Sequence, residues 1–369
     1  SVNDEDNYYY REYLRRELES SLPQMIAQMQ TKNIKLNDNW IYELVDSETS
    51  TEKGKSDQNE PLLYVISYFQ NNSNEFGKGI IDIIKKYYPN YEDEDYAKKS
   101  LSNLNYYRLS AYTLTLRKDD CFYDNVRFSD VMQIYNFDME LRAALMYLLE
   151  SIEVSMRTYI GYYHAKYFGA LGYYEEDAFE DANRFHKFET DYKDAIEEYG
   201  DKEVFVKHHN DVYDGKFPIW VLVELLTLGT LSRLFKNLTP EVRNEICKSN
   251  YGKINDEYIG NWLQGCTILR NICAHRGRLF NRQIPFSLRL GEKDQLIFKN
   301  NGISINKATK QLFAYLIVMK KMIPDDGVWN TFTSRLVDLK NKYPFVRLDY
   351  YGFTEDWEKL LGIKSEKSA

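Results

Sequence analysis

Arg270 and His275 are the two residues of this chain whose types and spacing best suit bond-breaking chemistry. A guanidinium is a planar fork that can hold two phosphate oxygens at once and keeps its charge. An imidazole can take up or release a proton near neutral pH. Asn271 stands four residues before His275, which puts the two on one side of a helix. From Tyr258 to Gly291 there is no acidic residue and no lysine, but there are five arginines: Arg270, Arg276, Arg278, Arg282 and Arg289. The whole chain carries a formal charge of −8. A mean acidic field does not attract nucleic acid, so a nucleic-acid function needs a local basic patch of this kind. The plainer reading is a solvated basic face and an ordinary surface histidine. The all-arginine composition, with Arg276 directly after His275, weighs against it.

Cleaving RNA without a metal requires a base for the ribose 2′-OH and an acid for the 5′-oxygen that leaves. It also requires positive charge on the pentavalent phosphate. Arg270 can supply the charge, and His275 can be the base or the acid. One chain offers one such set, because His164, His186, His208 and His209 lack comparable neighbours. A symmetric dimer would bring two histidines and two arginines together across its axis. The chemistry therefore predicts a composite site. Cys121, Cys247, Cys266 and Cys273 form no CxxC pair and read as reduced, mostly buried thiols of a cytoplasmic protein. No metal site and no cofactor is expected.

The elements that must position these groups are mostly helices. A helix from about Asp256 to Ala274 carries Ile259, Trp262, Leu263, Cys266, Leu269 and Cys273 as its apolar stripe and ends at His275. The strongest helical segment spans 129–166, with Leu141, Leu145, Leu148, Ile152 and Tyr159 on one face. Arg142, Glu150, Glu153, Arg157 and His164 form a second stripe beside it, either a solvated edge or the lining of a cleft. Further helices are expected through Leu104, at 176–200, from Pro218 to Leu234, and at 306–323, 328–342 and 354–361. Residues 295–305 read as a β-hairpin turning on Asn300-Asn301-Gly302. Aromatic and charged residues alternate at helical period over 8–30, and residues 46–60 lack apolar side chains, as a solvated loop would. No stretch has the length of a membrane span or the pattern of a signal peptide. Of the 369 residues, 32 are tyrosines, which can stack on bases but also fit a compositional bias.

The run Arg270-Asn271-Ile272-Cys273-Ala274-His275 resembles the Arg-x4-6-His signature of HEPN domains. Its continuation through Arg276, Gly277, Arg278, Asn281 and Arg282 resembles the bacterial abortive-infection proteins of the AbiD/AbiF type. So does the segment Leu104–Tyr112, which contains Asn105, Tyr107 and Arg108. Ile134–Arg142, Ile152–Arg157 and Pro218–Gly229 follow in the matching order. Five segments in order are far more specific than one short motif. The resemblance covers about residues 90–345.

That resemblance implies a mainly α protein: a HEPN-type helical bundle with extra helices and the small β-hairpin. It implies a toxin-like, metal-independent endoribonuclease in phage defence, with its cleft formed by a homodimer. Arg270 and His275 would be catalytic, with Asn271 supporting them. Glu153 and Arg157, on a facing helix, would orient that pair or touch RNA. Arg276, Arg278, Asn281 and Arg282 are expected to contact RNA, and Asn105, Tyr107 and Arg108 either to contact RNA or to pack a helix start. The expected domains are an N-terminal helical extension over 1–85, with its polar loop at 46–60, and an Abi-type domain over 86–369. Partners would be substrate RNA and a restraint in uninfected cells, either a small structured RNA or a protein antitoxin. The competing readings are a non-catalytic RNA-binding protein that grips phosphate with the same patch, and a structural interaction module.

Overall fold

The computed structural model describes residues 94–363, apart from 119–120, 124–125 and 201. The expected extension over 1–85, including 8–30 and the loop at 46–60, lies outside these residues. The described part is mainly α, with fourteen helices and almost no strand. They begin with α1 (Glu94–Asn103) and α2 (Tyr106–Ser110). Two two-residue strands follow, β1 (Arg117–Lys118) and β2 (Cys121–Phe122), paired antiparallel with Arg117 opposite Phe122.

The central element is α3 (Phe128–Phe168), 41 residues without a proline. At 1.5 Å per residue it is about 60 Å long. The Asp130 carboxylate accepts the N–H of Arg127 at 2.9 Å to start it. Gly169, at φ +81°, ends it by donating to the Ala165 carbonyl. Phe137, Leu141, Leu145, Leu148, Ile152, Met156 and Ile160 are all fully buried along it. Next come α4 (Ala182–Tyr199), α5 (Val204–Val212), α6 (Ile219–Leu222), α7 (Leu228–Asn237), α8 (Pro240–Asn250) and α9 (Asp256–Ala274). The chain closes with α10 (Glu292–Asn300), α11 (Ile305–Ala308), α12 (Leu312–Met322), α13 (Asp326–Lys342) and α14 (Trp357–Leu361). Helices α6, α7, α8, α9, α12 and α13 all pack on α3.

Three expectations are corrected. The hairpin at 295–305 does not form, because that segment is α10 and the turn after it. Glu292 and Asp294 favour a helix N-terminus there. Gly302, at φ +69°, closes the helix: its N–H donates to the Lys299 carbonyl, and that of Ile303 to the Phe298 carbonyl at 2.9 Å. This is the six-residue helix stop that favours glycine. The run Asn300-Asn301-Gly302 is therefore a helix end rather than a hairpin turn. The helix expected from Pro218 to Leu234 is interrupted. Leu226 is extended, and the Thr227 hydroxyl accepts the Thr230 N–H at 3.2 Å to start α7 afresh. The helix expected at 306–323 breaks at 309–311, where the carbonyls of Thr309 and Lys310 accept N–H groups from Leu288 and Ile284 instead. Among the described residues, no helix is long and apolar enough to cross a membrane.

Candidate functional site

Helix α9 forms where the sequence pattern places it. Asn255 caps it by accepting the Tyr258 N–H at 3.1 Å, and Asp256 and Glu257 complement the positive end of its dipole. Its buried stripe of Ile259, Trp262, Leu263, Cys266, Leu269 and Cys273 faces the core. Its last turn bears Arg270, half-buried, and Asn271, exposed. His275 is the exposed C-cap, and its backbone N–H donates to the Asn271 carbonyl at 3.0 Å. Arg276 then takes a left-handed conformation at φ +57°. Its N–H donates to Cys273 O, and that of Gly277 to Ile272 O at 2.7 Å. The helix thus ends in the same kind of stop as α10, with an arginine in the glycine place. Gly277 is needed for another reason: a Cβ there would lie 3.0 Å from Ile272 Cγ2 and 3.1 Å from its carbonyl oxygen.

Beyond the stop, residues 277–291 run back over α9 as an irregular strap. It is fixed mainly through its backbone. The Asp138 carboxylate, fully buried on α3, accepts the Phe280 N–H at 2.9 Å and the Leu279 N–H at 3.2 Å. It also accepts the Tyr112 hydroxyl at 2.7 Å and the Tyr351 hydroxyl at 3.0 Å, and it pairs with Arg142 one turn along. Burial pushes the Tyr112 phenol up, and the Asp138 charge adds to it. Burial disfavours the Arg142 charge, but Asp138 and Tyr112 more than offset this and hold the guanidinium protonated. Farther along, the Arg289 N–H donates to Asn261 Oδ1 and the Trp262 indole to the Arg289 carbonyl, each at 2.7 Å.

The five arginines have different fates. Arg278 is half-buried and donates to the Ala111 carbonyl at 2.7 Å, and burial lowers its pKa. Arg282 donates to the Arg278 carbonyl, and Arg289 pairs with Glu257, just outside the acid-free stretch. Among the described residues, the side chains of Arg270, Arg276 and His275 have no hydrogen-bond or ion-pair partner. Asn281, left-handed at φ +46°, is exposed on the strap. Five residues apart on a helix, Arg270 and His275 leave the axis about 140° apart and about 7.5 Å apart in height.

The other expected residues lie as follows. Arg157 donates to Glu153 at 2.6 Å and to the Leu226 carbonyl at 3.0 Å, and lies 3.9 Å from Glu224. No hydrogen bond or ion pair joins Glu153 or Arg157 to Arg270 or His275 among the described residues. Asn105 caps α2 by accepting the Tyr107 N–H at 2.9 Å, and Arg108 donates to the Arg276 carbonyl. The Leu104–Tyr112 segment thus grips the turn after α9, with Tyr107 exposed beside it. Asp138 is the residue missed in the sequence. Its signal is an Asp–Arg pair four apart inside a run that is otherwise apolar on that face.

The remaining histidines lie in other settings. His186 is exposed near Glu176 and Glu189, and His209 bonds the Phe205 carbonyl. His164 is fully buried against Phe168 and Phe179. Cys247, Cys266 and Cys273 are free, buried thiols, each pushed up to about 12 by burial, which keeps them unreactive. Among the described residues, no three His, Cys, Asp or Glu side chains are grouped so as to hold a metal ion.

The fold and this helix end define a class: a mainly α protein with an Arg–His set, unpaired among the described residues, at the close of a buried helix. A family model described as Abi-like protein matches residues 99–281, and the match supports an Abi family protein. It runs from just before the Leu104 segment to Asn281, a shorter span than the resemblance suggested. No curated protein and no solved structure is a significant match.

Proposed function

We propose that this chain is a metal-independent endoribonuclease of HEPN type acting in abortive infection, with a site completed by a second copy. The observation that carries the reading is the pair Arg270 and His275, both without protein partners among the described residues, beside an acid-free strap. A helix C-terminus carries the negative end of the dipole, so backbone groups there do not hold phosphate. Arg270 and Arg276 must supply the positive charge. The Abi-like match supports the cellular role through the family's name.

In this mechanism one His275 takes the proton from the ribose 2′-OH. The 2′-oxygen attacks phosphorus as the bond to the 5′-oxygen breaks. His275 of the second copy gives that 5′-oxygen a proton. The products are a 2′,3′-cyclic phosphate and a 5′-hydroxyl. The arginines stabilise the charge gathered on the non-bridging oxygens, and Asn271 orients the imidazole. In uninfected cells a structured small RNA or a protein partner restrains the enzyme, and the strap is the surface on which either would sit.

The test is purified protein with labelled single-stranded RNA in EDTA. Wild type should cleave. His275→Ala should fall by about 10²–10⁴-fold and Arg270→Ala by about 10²–10³-fold, the ranges for losing a proton-transfer group and an oxyanion donor. Binding without cleavage by the wild type would replace this reading with a non-catalytic RNA-binding protein. The absence of both would leave an interaction module.

A further inference from the structure

A cavity of about 210 Å³ opens between α4 and α7, away from the motif. Four cations line it (Arg184, Lys187, Arg233 and Lys236), against the single carboxylate of Asp191. Asp191 is already taken by Arg233 at 2.7 Å. Arg184 reaches only the Lys236 carbonyl, at 3.5 Å, and Lys187 has no partner among the described residues. Lys236 is half-buried and bonds a neutral atom, Gln264 Oε1, at 2.5 Å. Burial lowers its pKa, and the charges of Arg184 and Arg289 add to this. Three unmatched cations gathered in a chain of net −8 repel one another unless an anion sits among them.

Helix α7, one wall of the cavity, packs on the face of α9 that leads to the motif. Lys236 lies against Gly260 and bonds Gln264, and Gly229 packs on Thr267. Residues 260, 264, 267, 271 and 275 follow one another along that face. Gln264 and His275 are about 16 Å apart along the axis. The cavity floor is Phe188 and Leu234, both buried, so no exposed ring is offered for a base to stack on. Cations without a stacking platform suit a backbone phosphate better than a free nucleotide.

We propose that this cavity seats a backbone phosphate of the RNA strand cleaved at Arg270 and His275. The proposal rests on RNA being the ligand of the motif, and its test separates the two. Arg184→Glu/Lys187→Glu is introduced into the His275→Ala protein, which keeps RNA intact. Binding of a labelled single strand is measured by anisotropy between about 50 and 200 mM salt. Affinity should weaken at least about tenfold at the lower salt, and the log–log salt slope should fall by about 0.7 for each phosphate that is no longer neutralised. Lys293→Glu/Lys299→Glu on α10, with the same change in net charge, should leave the slope unaltered. In the otherwise wild-type enzyme, the α4 variant should cleave long RNA poorly and a dinucleotide, too short to reach the cavity, normally. Should the double variant fail to fold, Lys187→Gln is read in the same way. Unchanged affinity and slope overturn the proposal, as does RNA binding that is absent throughout. Loss of nucleoside triphosphate binding with RNA binding intact also overturns it, in favour of a small-anion site. If the wild type binds RNA without cleaving it and the α4 variant still loses binding, the nuclease reading fails and the cavity assignment stands.

Discussion

Arg276 occupies a backbone conformation that an L-residue adopts at a cost of about 1–2 kcal/mol, where glycine would adopt it freely. Its side chain has no protein partner among the described residues, so only its backbone hydrogen bonds, which glycine would keep, offset that cost. Arg276→Gly is expected to raise stability by about 1 kcal/mol in thermal or urea unfolding. If its guanidinium meets phosphate, RNA affinity should fall in the same variant. Unchanged affinity would remove Arg276 from the RNA-contact set. His164 is a second residue at odds with its surroundings. Both ring nitrogens are buried without a partner, and burial lowers its pKa to about 4. Unfolding returns it toward about 6.5. The unfolded chain therefore binds the extra proton first. Stability from this group is complete above pH about 6.5 and is lost as pH falls toward 4, by about 3 kcal/mol in all. Urea titrations across that window should show the loss in the wild type and its absence in His164→Phe. An equal loss in both would assign the acid sensitivity to other groups.

At the scale of elements, the strap after α9 is held to α3 mainly through Asp138. Asp138→Asn would leave the buried Arg142 guanidinium without its counter-charge, and a loss of about 3–5 kcal/mol is expected. Adding Arg142→Met should recover part of that, because an unpaired buried charge costs more than a missing pair. Calorimetry of the single and double variants checks this, and a double variant no better than the single would refute it. Gly265 gives a second contact between strap and helix. A Cβ there would lie 2.5 Å from Leu288 Cδ2 and 3.2 Å from the Tyr315 ring. Gly265→Ala should cost about 1–3 kcal/mol by overpacking. These elements also show what the sequence could express. The extent of α9 was legible because a capping asparagine, an apolar stripe of helical period and a charged first turn agree along one short stretch. The 295–305 segment misled because Asn-Asn-Gly serves both hairpin turns and helix stops, and only tertiary contacts choose between them. The strap read as a run of arginines, but which ones stay unpaired depends on Ala111 and Glu257, brought in by folding. The α4–α7 cavity was illegible for the same reason: Arg184 and Lys187 lie about fifty residues from Arg233 and Lys236, within a helix whose acidic residues outnumber its basic ones.

For the whole molecule, the question is how an acidic chain with one imidazole at its candidate site could perform a reaction that needs both a proton acceptor and a proton donor. Under the composite-site proposal, each active unit needs His275 from two copies, while isolated sites would need it from one. The two cases differ in how activity falls when wild type is mixed with His275→Ala and allowed to exchange subunits. With equal amounts and random pairing, a shared site leaves about one quarter of the units intact, whereas independent sites leave about one half. The shared site is expected. Light scattering of the same mixture should give a mass near twice the chain's 43.8 kDa, so that the comparison concerns dimers. Activity that falls in simple proportion to the wild-type fraction would return both proton transfers to a single chain. The second proton-transfer group would then have to lie on the same chain as His275, and neither Asn271 nor Arg276 could serve, because an amide does not titrate and a guanidinium does not release its proton.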